Sequence, residues 1–137
     1  MALHKLVVIS LDSMGFRDLD EFRKFIPHLD QLIKRGTWVK RVRGIFPTLT
    51  YPSHTSIITG QYPAIHGIVN NTKIQPQRES PDWYWYRKDV KAMPLYDVAR
   101  EAGLTTAAFL WPVTAGSKIN YSDFDIGGSL DGSDLKL

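Results

Sequence analysis

The run KLVVISL, Lys5 to Leu11, narrows the choice of folds more than any other stretch of this chain. It is short, rich in β-branched residues, and shows no alternation of apolar and polar positions. A strand of that kind is apolar on both faces. It suits a parallel sheet covered by helices, not an antiparallel sheet with one wet face. Thr105 to Leu110 repeats the pattern. Between the two runs, Asp18 to Arg35 carries Leu19, Phe22, Phe25, Ile26, Leu29, Leu32 and Ile33 at helical spacing. Proline breaks a helix interior but is tolerated in a first turn. The stretch therefore predicts a short helix, then a second from about Pro27, closed by Gly36 as a left-handed cap. Thr37 to Val42 alternates and predicts a strand. Tyr51 to Thr59 predicts a short helix stopped by Gly60. Residues 61–93 read as a long loop with a small hairpin near WYWY, Trp83 to Tyr86. Leu95, Val98, Ala99 and Ala102 mark a further helix, with Gly103 as its stop. This order of elements is that of an α/β fold with a mainly parallel sheet. In such sheets ligands bind beyond the carboxyl ends of the strands. Asp12 stands at such an end.

Size and composition set outer limits. A chain of 137 residues is long enough for one domain and too short for two ordinary ones. It has no cysteine, which excludes a disulfide framework, a thiolate metal site and a cysteine nucleophile. No apolar run approaches the roughly 20 residues that cross a bilayer, so no membrane partner is expected. The start, MALHKLVVISLD, lacks a signal-peptide pattern, and a cytoplasmic location is the expectation. From Gln31 to Arg78 there is no Asp or Glu, while Lys34, Arg35, Lys40, Arg41, Arg43, Lys73 and Arg78 lie within that window. Such a neighbourhood attracts anions such as phosphate; the plainer alternative is a solvated basic face.

Three residues stand out for chemistry. Asp12 follows an apolar strand directly, where a carboxylate needs a partner such as a divalent cation; it could equally order the following loop. Thr50 opens a helix, where unpaired N–H groups and the positive end of the dipole favour an alkoxide or a phosphoryl oxygen. A threonine needs a base or a metal to become a nucleophile, and a plain helix cap is the alternative. Asn71, in HGIVNN, can donate to a phosphate oxygen, or simply make a turn. His54 and His66 read as helix and turn residues satisfied locally. The WYWY cluster reads as packing, with base stacking as the alternative.

Together, VVISLDSMGFR (Val7 to Arg17) and FPTLTYPSHTSIITGQYPAIHGIVNN (Phe46 to Asn71) closely resemble the type I phosphodiesterase/nucleotide pyrophosphatase family of the alkaline phosphatase superfamily. The resemblance continues through PLYDVAREAGLTTAAFLWP (Pro94 to Pro112), where it is to bacterial members, and covers about the first 120 residues. It implies a three-layer αβα, alkaline-phosphatase-like fold with a mainly parallel sheet. It also implies hydrolysis of phosphodiester or nucleotide pyrophosphate bonds at a two-zinc centre, with Thr50 as nucleophile. Thr50 is preferred to Thr48 because an aromatic residue and a proline follow it. Asp12 and the Thr50 oxygen would share one zinc, and Asn71 would hold non-bridging phosphate oxygens.

The family's remaining zinc ligands include an Asp-x-x-x-His pair and an adjacent Asp-His pair. This chain has no histidine after His66. Residues 1–121 are therefore expected to be the N-terminal part of such a catalytic domain, truncated. Residues 122–137, rich in Gly, Ser and Asp, are expected to be a flexible tail departing from the family. The expected consequences are a partial zinc site, slow turnover or none, and a partner for the uncovered sheet, either a second copy or a complementing fragment. The competing readings are a module that binds nucleotide or nucleic acid without chemistry, and a scaffold remnant.

Overall fold

The computed structural model describes residues 5–123. They form two compact units, divided between Arg43 and Gly44.

In the first unit, helix α1 spans Phe16–Phe22, and the turn Arg23–Phe25 is a tight 3₁₀ turn. Helix α2 spans Pro27–Arg35. The side chain of Asp18 accepts the Gly15 N–H at 2.7 Å, which satisfies a donor where α1 begins. Pro27 is the first residue of α2, where its missing N–H costs nothing. Asp30 is clamped between Arg23 and Lys34, and these two cations hold its carboxyl below the usual carboxylate range, Lys34 contributing most. Gly36 corrects the expected left-handed cap. Its φ is −109° and its ψ −165°, because the Gly36 N–H closes the helix onto Leu32 and the chain leaves extended.

Two expected strands are also corrected. Lys5–Leu11 and Thr37–Val42 form no ladder among the described residues. β-branched composition supplies propensity, but a strand exists only where a neighbour completes its hydrogen bonds. Lys5–Leu11 is also exposed rather than buried on both faces, with Leu6, Val7 and Ile9 each more than 70% accessible. No residue of 5–43 is buried.

The second unit is built on helix α3, Thr50–Thr59, which Gly60 ends at φ +66°, in the left-handed region that glycine enters without steric cost. A short helix α4, Pro63–His66, packs beside α3. Residues 71–84 make the small hairpin expected near WYWY, held by Tyr84 N–H to Asn71 O at 3.0 Å and Lys73 N–H to Asp82 O at 2.7 Å. Helix α5, Leu95–Glu101, precedes strand β1, Ala107–Phe109. β1 pairs in parallel with β2, Tyr121–Asp123, in the register Ala107 to Tyr121 and Phe109 to Asp123. The core of this unit is Tyr51, Ile68, Val90 and Val113, with Tyr84 and Trp85 packed against it. Ser122 and Asp123, expected in the tail, belong to β2; the rest of that stretch, from 124, lies outside the described residues. No helix among the described residues is long and apolar enough to cross a membrane.

Candidate functional site

Leu49 holds an extended conformation ahead of α3, so Thr50 is the first helical residue. A helix start normally leaves several backbone N–H groups unpaired. Here the sequence removes most of them. Pro52 has none, and the Tyr51 N–H donates to Asn71 Oδ1 at 3.0 Å. An N–H can only donate, so the oxygen of the Asn71 carboxamide must face the helix and its NH₂ group must face away. This one bond, between residues 20 apart in sequence, places Asn71 beside Thr50. Two of the three sequence-predicted site residues therefore meet at the head of α3.

Three other hydroxyls of the segment are engaged elsewhere. Thr55 donates to Tyr51 O at 2.8 Å and Thr59 to Thr55 O at 2.6 Å. Ser56 lies 2.9 Å from His66 Nε2, a spacing that resembles a nucleophile and its base. His66 Nδ1, however, accepts the Ile68 N–H at 3.1 Å. The neutral ring thus carries its hydrogen on Nε2 and donates to Ser56, the reverse of what a general base requires.

A cleft of about 310 Å³ opens at Thr50, lined by Tyr51, Trp85, Leu110, Trp111 and Val113 among others. Leu110 to Thr114 follow the carboxyl end of β1, where a parallel sheet presents its ligands. Leu110 and Val113 have φ values of +53° and +60°. For a β-branched residue this is a genuine outlier. The WYWY cluster divides its work: Trp83 stacks on Trp85 with ring centres 5.7 Å apart, and Trp85 also faces the cleft. Trp111 was not legible as a site residue. His54 packs edge-on against it at 5.1 Å while its Nδ1 donates to Thr50 O at 2.8 Å, the local satisfaction expected for that histidine.

Asp12 lies in the first unit, where its Oδ1 accepts the Ser13 N–H at 3.1 Å. Among the described residues, no three His, Cys, Asp or Glu side chains gather closely enough to hold a metal ion. Both ring nitrogens of His66 are engaged within the protein, and so is Nδ1 of His54. The described residues do not fit a two-zinc centre. The acid-free window is also less cationic in space than in sequence. Lys34 pairs with Asp30, Lys40 with Asp20, Lys73 with Asp89 and Arg78 with Asp82.

Residues 6–130 match the family described as type I phosphodiesterase / nucleotide pyrophosphatase. The chain belongs to that family. Human ectonucleotide pyrophosphatase/phosphodiesterase family member 1 is 32% identical over 117 residues, covering 77% of this chain and 12% of that protein. Human bis(5'-adenosyl)-triphosphatase ENPP4 is 34% identical over 119 residues, covering 80% of this chain and 25% of that protein. Among solved structures, murine ectonucleotide pyrophosphatase/phosphodiesterase 5 superposes with a TM-score of 0.68 at 27% identity, covering 88% of this chain and 34% of that one. That structure is of an inactive threonine-to-alanine variant in complex with AMP. The fold is alkaline-phosphatase-like. The chain spans at most about a third of the length of these relatives.

Proposed function

We propose that this chain carries the nucleophile-bearing segment of a hydrolase acting on phosphodiester or nucleotide pyrophosphate bonds, within a three-layer αβα domain. Thr50 is the nucleophile, and the Asn71 NH₂ group holds a non-bridging phosphate oxygen. The observation that carries the reading is the Asn71 Oδ1 bond to the Tyr51 N–H, which ties Asn71 to the head of α3, where Thr50 and Tyr51 line an aromatic cleft. The murine relative supports it, because a threonine-to-alanine change gave an inactive protein that holds AMP. The chemistry asked of these residues is nucleophilic attack by a hydroxyl on phosphorus and stabilisation of the charge that develops there.

Zinc remains part of the proposal: Asp12 and Thr50 are each proposed as a zinc donor, at most a partial site in this chain. A bis(p-nitrophenyl) phosphate assay with and without added zinc tests the reaction. Slow release of nitrophenolate, lost in Thr50→Ala and lost with chelator, is the expected result. Release that survives Thr50→Ala contradicts it. The aromatic cleft favours one second reading, nucleotide binding without chemistry. That reading gives AMP binding indifferent to chelator and no release at all. The exposed apolar side chains of Lys5–Leu11 support self-association or pairing with a complementing fragment, and a monodisperse monomer in light scattering counts against it.

A further inference from the structure

His66 closes α4 with no solvent exposure. Its ring bridges two parts of the second unit. Nε2 donates to Ser56 on α3, and Nδ1 accepts the N–H of Ile68 in the turn that follows. Ile68 is itself fully buried and shares the core with Tyr51, the residue after Thr50. The His66 carbonyl accepts the Lys91 N–H at 2.9 Å, so the ring sits where three segments meet.

The charged and titratable groups of those segments are few. On α3 they are Tyr51 and His54, and His54 is committed to the Thr50 carbonyl. Lys91 lies beside the turn, its aliphatic stem about 3.1 Å from where a Cβ on Gly67 would stand. Asp89, on the same segment as Lys91, is paired with Lys73. α4 and residues 67–69 carry no other titratable side chain.

We propose that His66 is a proton-sensitive latch and a positioning residue for α3: the neutral ring ties the helix to the 66–68 turn, and protonation releases the turn. A second proton has one place to go, Nδ1, where it meets the Ile68 N–H with two donors face to face. The Ile68 amide then loses its acceptor in a buried position, and the cation is enclosed, since His66 has no solvent exposure. The Ser56 bond survives, so release happens at the turn. Burial holds the imidazole below its ordinary value of 6.5. The unfolded chain therefore takes up a proton that the folded chain refuses. The latch contributes fully above pH 6.5, and its contribution is lost as pH falls from there through the folded value. The latch itself does not depend on Thr50 being a nucleophile; only its effect on turnover rests on the proposed function.

The test uses the full chain and two readouts. The first is a ¹H–¹⁵N imidazole titration by NMR between pH 8 and pH 5, followed together with hydrogen exchange at the Ile68 amide. The expected result is an Nε2–H tautomer at neutral pH, a His66 titration below the ordinary range, and loss of Ile68 protection in step with it. The second is urea unfolding across the same range. The wild-type unfolding constant should rise by up to about tenfold per pH unit below pH 6.5, and His66→Gln should lose that component. An Nδ1–H tautomer overturns the proposal whether or not the variant folds. So does a ring that titrates at 6.5 or above with Ile68 undisturbed.

Discussion

Replacing Asn71 by alanine and by aspartate separates its two roles. Its oxygen accepts the Tyr51 N–H at 3.0 Å, and its NH₂ group faces the other way. Asn71→Ala removes this acceptor from the Tyr51 N–H at the start of α3. Tyr51 is buried, so water replaces the lost partner poorly. The cost is that of a lost helix cap, about 1–1.5 kcal/mol. For a chain of 137 residues, each kcal/mol lowers Tm by about 4 °C. Asn71→Asp keeps an oxygen for Tyr51 and adds a negative charge at the positive end of the helix, so its stability should match wild type or exceed it slightly. Anion binding should behave in the opposite way. A carboxylate about 4 Å from a phosphate oxygen is repelled by up to about 4 kcal/mol at an effective dielectric of about 20. Solvent screening at this half-buried position reduces that figure, and a loss of AMP affinity of about tenfold to a hundredfold is expected. Thermal denaturation and an AMP titration by tryptophan fluorescence, on wild type and both variants, give the result. If Asn71→Asp is as destabilised as Asn71→Ala, the capping bond is not what holds this residue. If it binds AMP as tightly as wild type, the NH₂ group has no part in phosphate binding.

Ile68→Ala should cost about 2–5 kcal/mol, because Ile68 has no exposure and shares the core with Tyr51, Val90 and Val113; urea unfolding measures it. Gly60→Ala should cost about 1 kcal/mol, since φ is +66° there while no atom lies within 4 Å of a built Cβ, so the cost is conformational rather than steric. Leu110→Gly should be neutral or stabilising by up to about 1 kcal/mol, because an exposed leucine at φ +53° gives up its backbone strain; unchanged strain would appear as a net loss in thermal denaturation.

The local elements were legible wherever one residue type dictated them. Pro27 placed the start of α2, Gly60 ended α3 in the left-handed region, and the 105–110 run contains β1. Sheet formation was not legible, because it depends on a partner rather than on the strand itself. Lys5–Leu11 and Thr105–Leu110 look alike as sequence, yet only the latter pairs among the described residues, through Tyr121–Asp123. The site was half legible. Thr50 and Asn71 follow from the motif, but a bond spanning 20 residues leaves no mark in local pattern. Trp111 was missed because its place depends on how the chain turns after β1. The cationic window misled for the same reason, since the carboxylates that pair with it come from outside it in sequence.

The most direct test of the account is a ¹H–¹⁵N correlation titration of the full chain with AMP. Shifts concentrated at the Thr50 and Tyr51 amides, the Asn71 side-chain NH₂ and the Trp85 and Trp111 indoles are predicted. Shifts confined to the basic residues of 5–43, or none at millimolar AMP, would contradict a phosphate site at the head of α3.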